Sequence, residues 1–205
     1  MYVIGLTGNI ATGKSTVARL LRARGAEVID ADLLAHAVMA PGTPVWEAVV
    51  RTFGREILNP DGTIDRRRLG RIVFADPAAL SQLEAIVHPT VGKALRQRLR
   101  HLQRRREPPC VVVIEAIKLI EAGLPVLCDA VWVVVAPREV QIRRLMETRH
   151  LTREEAILRV DAQPPVEPKL AVADVVIENT GSLNDLERRV QAAWERIPGA
   201  GDKCP

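Results

Sequence analysis

Gly8-Asn9-Ile10-Ala11-Thr12-Gly13-Lys14-Ser15 reads G-x-x-x-x-G-K-S. It follows the apolar run Tyr2-Val3-Ile4-Gly5-Leu6 and opens into Thr16-Val17-Ala18-Arg19-Leu20-Leu21. Buried strand, glycine loop and helix, in that order, are the context a phosphate-binding loop requires. Glycines let successive N–H groups turn inward and form an anion nest at the positive end of a helix. The candidate nucleotide-binding residues are therefore Gly8, Asn9, Ile10, Ala11, Thr12, Gly13, Lys14, Ser15 and Thr16. Lys14 is expected on the β- and γ-phosphates, and the Ser15 hydroxyl on Mg²⁺. The plain alternative is a strand-to-helix turn that matches by chance; the agreement of strand, loop and helix argues against it.

Working outward, 205 residues suffice for one α/β domain with inserted segments. No apolar run approaches the ~20 residues that span a bilayer, and Met1-Tyr2-Val3-Ile4 lacks the basic region of a signal peptide. Cys110, Cys128 and Cys204 have no metal-ligand spacing. The expectation is a reduced, cytoplasmic location without membrane association. A net charge of +4 invites a nucleic-acid reading, but the basic runs Arg96–Arg100 and Arg104–Arg106 read as solvated helix faces. Aromatics at 3% leave little for base stacking, and a polyanionic small substrate explains a basic cleft equally well.

Glu27–Asp30 continues Ala26 as a second strand, after a first helix closed by Gly25. It runs into Asp30-Ala31-Asp32, with a helix expected from Leu33 to about Ala40. Ligands of open parallel sheets sit beyond the strands' carboxyl ends, which aims Asp32 at the mouth of the phosphate loop. Capping of the next helix is the alternative for either acid. Residues 41–107 read as a helical block: Asp65 caps Arg66 to Ala75, Asp76-Pro77 starts another helix, and His88-Pro89 is expected to end it before a long basic helix.

Cys110–Glu115 and Ala130–Val135 are β-branched runs of the kind buried on both faces of a parallel sheet. Glu115 ends the first of them, where an acid could hold the hydration shell of Mg²⁺ or cap the next segment. A helix after Pro137 carries Arg143, Arg144 and Arg149, and Thr152-Arg153-Glu154-Glu155 is a capping box opening the next, expected to reach Gln163. An Arg-rich helix hairpin suits a lid over phosphates, since guanidinium groups match phosphoryl oxygens in bidentate fashion; an ordinary solvated hairpin is the alternative. Asp174–Asn179 is a fifth strand, an amphipathic helix comes next to about Arg196, and the tail 198–205 is expected to be disordered.

A switch GTPase would need N-K-x-D and D-x-x-G, and neither occurs. A small-molecule kinase needs an acceptor-activating carboxylate, a substrate subdomain and arginines that close over the phosphates; Asp32, the helical block and the Arg143–Arg159 hairpin fill those roles in order. The sequence resembles the dephospho-CoA kinases. The resemblance spans nearly the whole chain and rests on several stretches in order. These are Gly5-Leu6-Thr7-Gly8, Val28–Asp32, Gly62-Thr63-Ile64-Asp65-Arg66, Leu83–Pro89, Leu119 and Glu121, the spacing of Gln141, Arg144, Arg159 and Gln163, and Ala173–Asn179.

The resemblance implies ATP-dependent phosphorylation of the ribose 3′-hydroxyl of dephospho-CoA, the last step of coenzyme A synthesis. It implies Asp32 as the base, Lys14, Arg144 and Arg149 on the phosphates, and Asn179 near the adenine. Thr7, Arg66, His88 and Leu119 would join Asp32 in holding the acceptor, and Ser15 with Glu115 the Mg²⁺. The implied fold is a P-loop three-layer α/β domain with a five-stranded parallel sheet. Its core would be residues 1–40, 108–137 and 170–197, its helical CoA subdomain about 41–107, and its lid about 138–169. The implied partners are ATP and dephospho-CoA, with no nucleic acid, in a monomer or weak oligomer. A kinase for another hydroxyl acceptor, and a non-catalytic nucleotide-binding protein, are the alternatives. Two departures stand out: Ile117-Lys118-Leu119-Ile120-Glu121 replaces the family's usual Pro-Leu-Leu-Phe-Glu, and Thr148 occupies the usual place of the second lid arginine, with Arg149 beside it.

Overall fold

The computed structural model describes residues 1–198, so the expectation for the tail lies outside the described residues except at Pro198. Two compact units divide it: Met1–Asp30 with the chain from Leu102 onward, and Ala31–His101. The first unit holds five strands, β1 (Tyr2–Thr7), β2 (Glu27–Asp30), β3 (Val111–Glu115), β4 (Ala130–Val135) and β5 (Val175–Glu178). They form one parallel sheet in the order β2-β3-β1-β4-β5. β1 is therefore central, and the register carries Thr7 to Val133 and Leu6 to Glu115. The strands that flank and include it are buried almost throughout, as expected for strands covered on both faces.

Helices α1 (Lys14–Arg22) and α9 (Leu183–Trp194) bury Val17, Leu21, Val190 and Trp194 with Trp132 and Ile177 of the sheet. Truncating Trp132, 1% exposed, would cost about 3–5 kcal/mol. The turn after α1 closes as the Gly25 signal predicts, with Ala26 N–H on the Leu21 carbonyl and Gly25 N–H on that of Arg22. A second small core joins α6 (Arg138–Arg149) and α7 (Arg153–Asp161) through Ile142, Leu145, Ala156 and Val160, and Ile10 and Ala11 of the loop pack against it. α7 starts at the expected capping box, Thr152 accepting from Glu155 N–H and Glu155 from Thr152 N–H. It stops at Asp161, short of Gln163, and a one-turn helix α8 (Glu167–Leu170) comes after it that no sequence signal announces.

Cys128 is packed by β1; burial, then the Asp129 charge, pushes its thiol up to about 12, which leaves it protonated and inert. Neither Cys110 nor Cys128 forms a disulfide. No helix among the described residues is long and apolar enough to cross a membrane.

The second unit contains α2 (Ala31–Val38), α3 (Pro44–Phe53), α4 (Arg66–Ala75) and most of α5 (Pro77–Gln103). Asp65 caps α4 through Arg67 and Arg68 N–H, and Asp76 receives Ala78 N–H at the proline-led start of α5. Two expectations are corrected. α2 begins at Ala31, directly after β2, so Asp32 sits in its first turn rather than ahead of it. Pro89 does not break the helix: α5 runs unbroken through it. Proline removes one hydrogen bond, but Val87, Val91, Leu95 and Leu99 form a buried stripe at four-residue spacing that passes straight through, and that burial outweighs the lost bond.

Candidate active site

The phosphate loop connects central β1 to α1, and its glycines are demanded by close approach. A Cβ on Gly8 (φ 148°) would lie 2.3 Å from the Val134 carbonyl oxygen of β4. One on Gly13 (φ 99°) would lie 2.1 Å from Asn179 Nδ2. Ala11 adopts φ 56°, a left-handed conformation that costs a non-glycine residue about 1–2 kcal/mol. Its carbonyl accepts from Arg144, and its side chain packs on the α6–α7 core. Thr12 Oγ1 donates to the Asn9 carbonyl at 3.0 Å, and Lys14, only 8% exposed, opens α1.

Three segments far away in sequence hold this loop. Arg144 Nη1 donates to the carbonyls of Ala11 (3.2 Å) and Thr12 (3.1 Å). Its Nη2 donates to Asn179 O (3.2 Å) and Oδ1 (3.0 Å). Asn179, buried one residue past β5, donates from Nδ2 to the Thr12 carbonyl at 2.8 Å. Burial, then the neighbouring Arg143 charge, lowers the Arg144 pKa from its ordinary value, yet a guanidinium remains charged. From beyond α7, Gln163 Oε1 accepts Ile10 N–H at 3.2 Å and the Pro164 carbonyl accepts Asn9 Nδ2 at 3.0 Å.

Ser15 Oγ donates to Glu115 Oε1 at 2.8 Å, so the hydroxyl and the acid expected to serve Mg²⁺ are brought together. The β2–β3 register sets Asp30 beside Glu115, which places a second acid at that edge of the sheet. Thr7 and Leu119 are both fully buried: Thr7 Oγ1 donates to the Ile117 carbonyl at 3.1 Å, and Leu119 fills the space above Gly5. Arg149, the last residue of α6, is exposed and its side chain makes no hydrogen bond among the described residues, whereas the Arg144 side chain makes four.

Within the helical unit, Asp32 is half-buried. Arg66 is exposed at the first position of α4 and lines a groove of about 480 Å³ with His36, Pro41, Ile64, Leu69 and Phe74. Phe74 is 81% exposed. His88 lies half-buried near the middle of α5 and is not among the walls of that groove.

Sequence reasoning missed the loop contacts of Asn9 and Pro164 and the burial of Lys169 in α8. Gln163 was visible only as a matter of spacing. Each contact joins residues more than forty positions apart, beyond any local pattern.

Comparison with known proteins agrees with this geometry. The sequence model described as dephospho-CoA kinase matches residues 2–185. A dephospho-CoA kinase of Geobacter metallireducens is 50% identical over 198 residues, covering 96% of this chain and 98% of that protein. One from Anaeromyxobacter dehalogenans is 53% identical over 206 residues, covering 100% and 97%. The crystal structure of TT1252 from Thermus thermophilus superposes with a TM-score of 0.77 at 42% identity, covering 97% of this chain and 98% of its own. This chain belongs to the dephospho-CoA kinase family of phosphotransferases.

Proposed function

We propose that the chain transfers the γ-phosphoryl group of ATP to the ribose 3′-hydroxyl of dephospho-CoA, giving coenzyme A and ADP. The observation that carries the reading is the phosphate loop held in shape by Arg144 and Asn179 within a chain of this family. The Asp32 carboxylate accepts the proton of the 3′-hydroxyl, whose oxygen forms the new bond to the γ-phosphorus as the bridging bond to ADP breaks. Main-chain N–H groups of Gly8–Ser15 and the Lys14 ammonium hold the β- and γ-phosphates, and Arg144 faces the charge spread over the transferred group.

Ser15 and Glu115, hydrogen-bonded to each other, would hold Mg²⁺, which would supply neutralisation of phosphate charge. Arg66, His88 and the segment around Leu119 contact the CoA moiety, and α6–α7 serves as the lid. Arg149 is the weaker candidate of the two lid arginines, being exposed at a helix end. ADP release from ATP and Mg²⁺ tests the reading, with dephospho-CoA, adenosine or AMP as acceptor. Stimulation by dephospho-CoA alone, with CoA formed in step, is expected; stimulation by another acceptor, or by none, overturns it.

A further inference from the structure

The Ile117 carbonyl is a meeting point for three segments of the strand-containing unit. It accepts from Thr7 Oγ1 at 3.1 Å and from Lys169 Nζ at 3.4 Å. The same ammonium lies 2.6 Å from Glu121 Oε1. Thr7 is the last residue of β1, immediately before Gly8, and residues 117 to 121 form the loop after β3. Lys169 comes from α8 and is 3% exposed, while Glu121 keeps 33% of its side chain in contact with solvent. Burying an ammonium costs several kcal/mol, and a well-packed apolar pair is often as stable as a buried ion pair. The Lys169–Glu121 pair therefore has little to offer stability that leucine and methionine would not. What it adds is direction: one charged donor fixes a backbone carbonyl and a carboxylate of the same loop.

The segment that brings Lys169 is itself anchored. Gln163 and Pro164 bond Ile10 and Asn9 of the phosphate loop, and six residues further Lys169 bonds the loop after β3. Residues 163–169 thus strap the phosphate loop at one end and the 117–121 loop at the other.

We infer that Lys169, through Glu121 and the Ile117 carbonyl, is a positioning residue that sets the shape of the acceptor-side loop. The inference rests on the proposed reading that this loop serves dephospho-CoA. Lys169 acts on the loop, through the Ile117 carbonyl and Glu121, and not on the substrate directly.

Steady-state kinetics and thermal melting of Glu121→Leu/Lys169→Met and of Glu121→Gln separate positioning from packing. The double variant removes both charges and is expected to melt near the wild type. Its KM for dephospho-CoA is expected to rise about tenfold, the scale of one lost charged hydrogen bond, with KM for ATP unchanged. Glu121→Gln, isosteric and partly solvated, is expected to move the acceptor KM the same way by a smaller factor. An acceptor KM unchanged in both variants, or an equal rise in both KM values, overturns the inference while leaving the function intact. Absence of dephospho-CoA-dependent turnover in the wild type defeats the proposed function, and the inference falls with it.

Discussion

In the strand-containing unit several candidate residues are bonded to one another; the helical unit keeps Asp32 and His88 half-buried and leaves other large side chains exposed. Arg144 makes four hydrogen bonds to the loop and Asn179, Asn179 returns one to Thr12, and Ser15 rests on Glu115. Across the other unit Arg66 is exposed, and Leu33 and Phe74 show most of their apolar surface. Phosphoryl transfer explains the contrast. Charge stabilisation depends on donors fixed before the substrate arrives, because reorientation at the moment of reaction would forfeit the gain. On the proposed reading, a long acceptor is instead held by contact area.

The largest test of this contrast lies at Asp32, the proposed base. Asp32→Asn is expected to fold, bind ATP and lose about two or more orders of magnitude in kcat, the scale of a positioned general base. Near-normal turnover would remove Asp32 from the chemistry and leave the helical unit a pure binding surface. Next, Arg144→Ala should lower the unfolding free energy by about 2 kcal/mol and weaken ATP binding, since several carbonyl oxygens lose a charged donor. Denaturant melts and ATP titration together check this, and unchanged values in both would mean the loop holds its shape unaided.

Thr152→Ala should cost about 1 kcal/mol by calorimetry, the usual value of a cap, with KM for the acceptor unmoved. The smallest effect is at Ala11. Glycine there relieves the left-handed strain but loosens the unfolded chain and gives up a packed methyl group. Stability should shift by less than about 1 kcal/mol, and a larger change would show that the loop's conformation is held mainly by that one side chain.

How much the sequence revealed depends on the range of the forces involved. The phosphate loop, the caps at Asp65 and Thr152 and the β-branched strands are local patterns, and each appears where expected. Pro89 was misleading because its penalty is local and visible, whereas the buried stripe that overrides it is tertiary. Glu115 was legible together with Ser15, which it meets, whereas Arg144 was legible as a residue type at a suitable position but not its reach back to residues 11 and 12. α8 escaped because four residues around Pro168 carry no periodicity, and the burial of its lysine depends on a carboxylate forty-eight positions earlier.

The crowding at Gly13 has a practical consequence for mutagenesis. Asn179 occupies the space where a side chain would begin, so alanine at position 13 collides with the protein itself before any nucleotide arrives. An inactive Gly13→Ala protein would therefore say nothing about phosphate, because the damage is done in the empty molecule. At φ 99° a side chain at position 13 is strained as well as crowded, so a smaller residue at position 179 would relieve only part of the penalty.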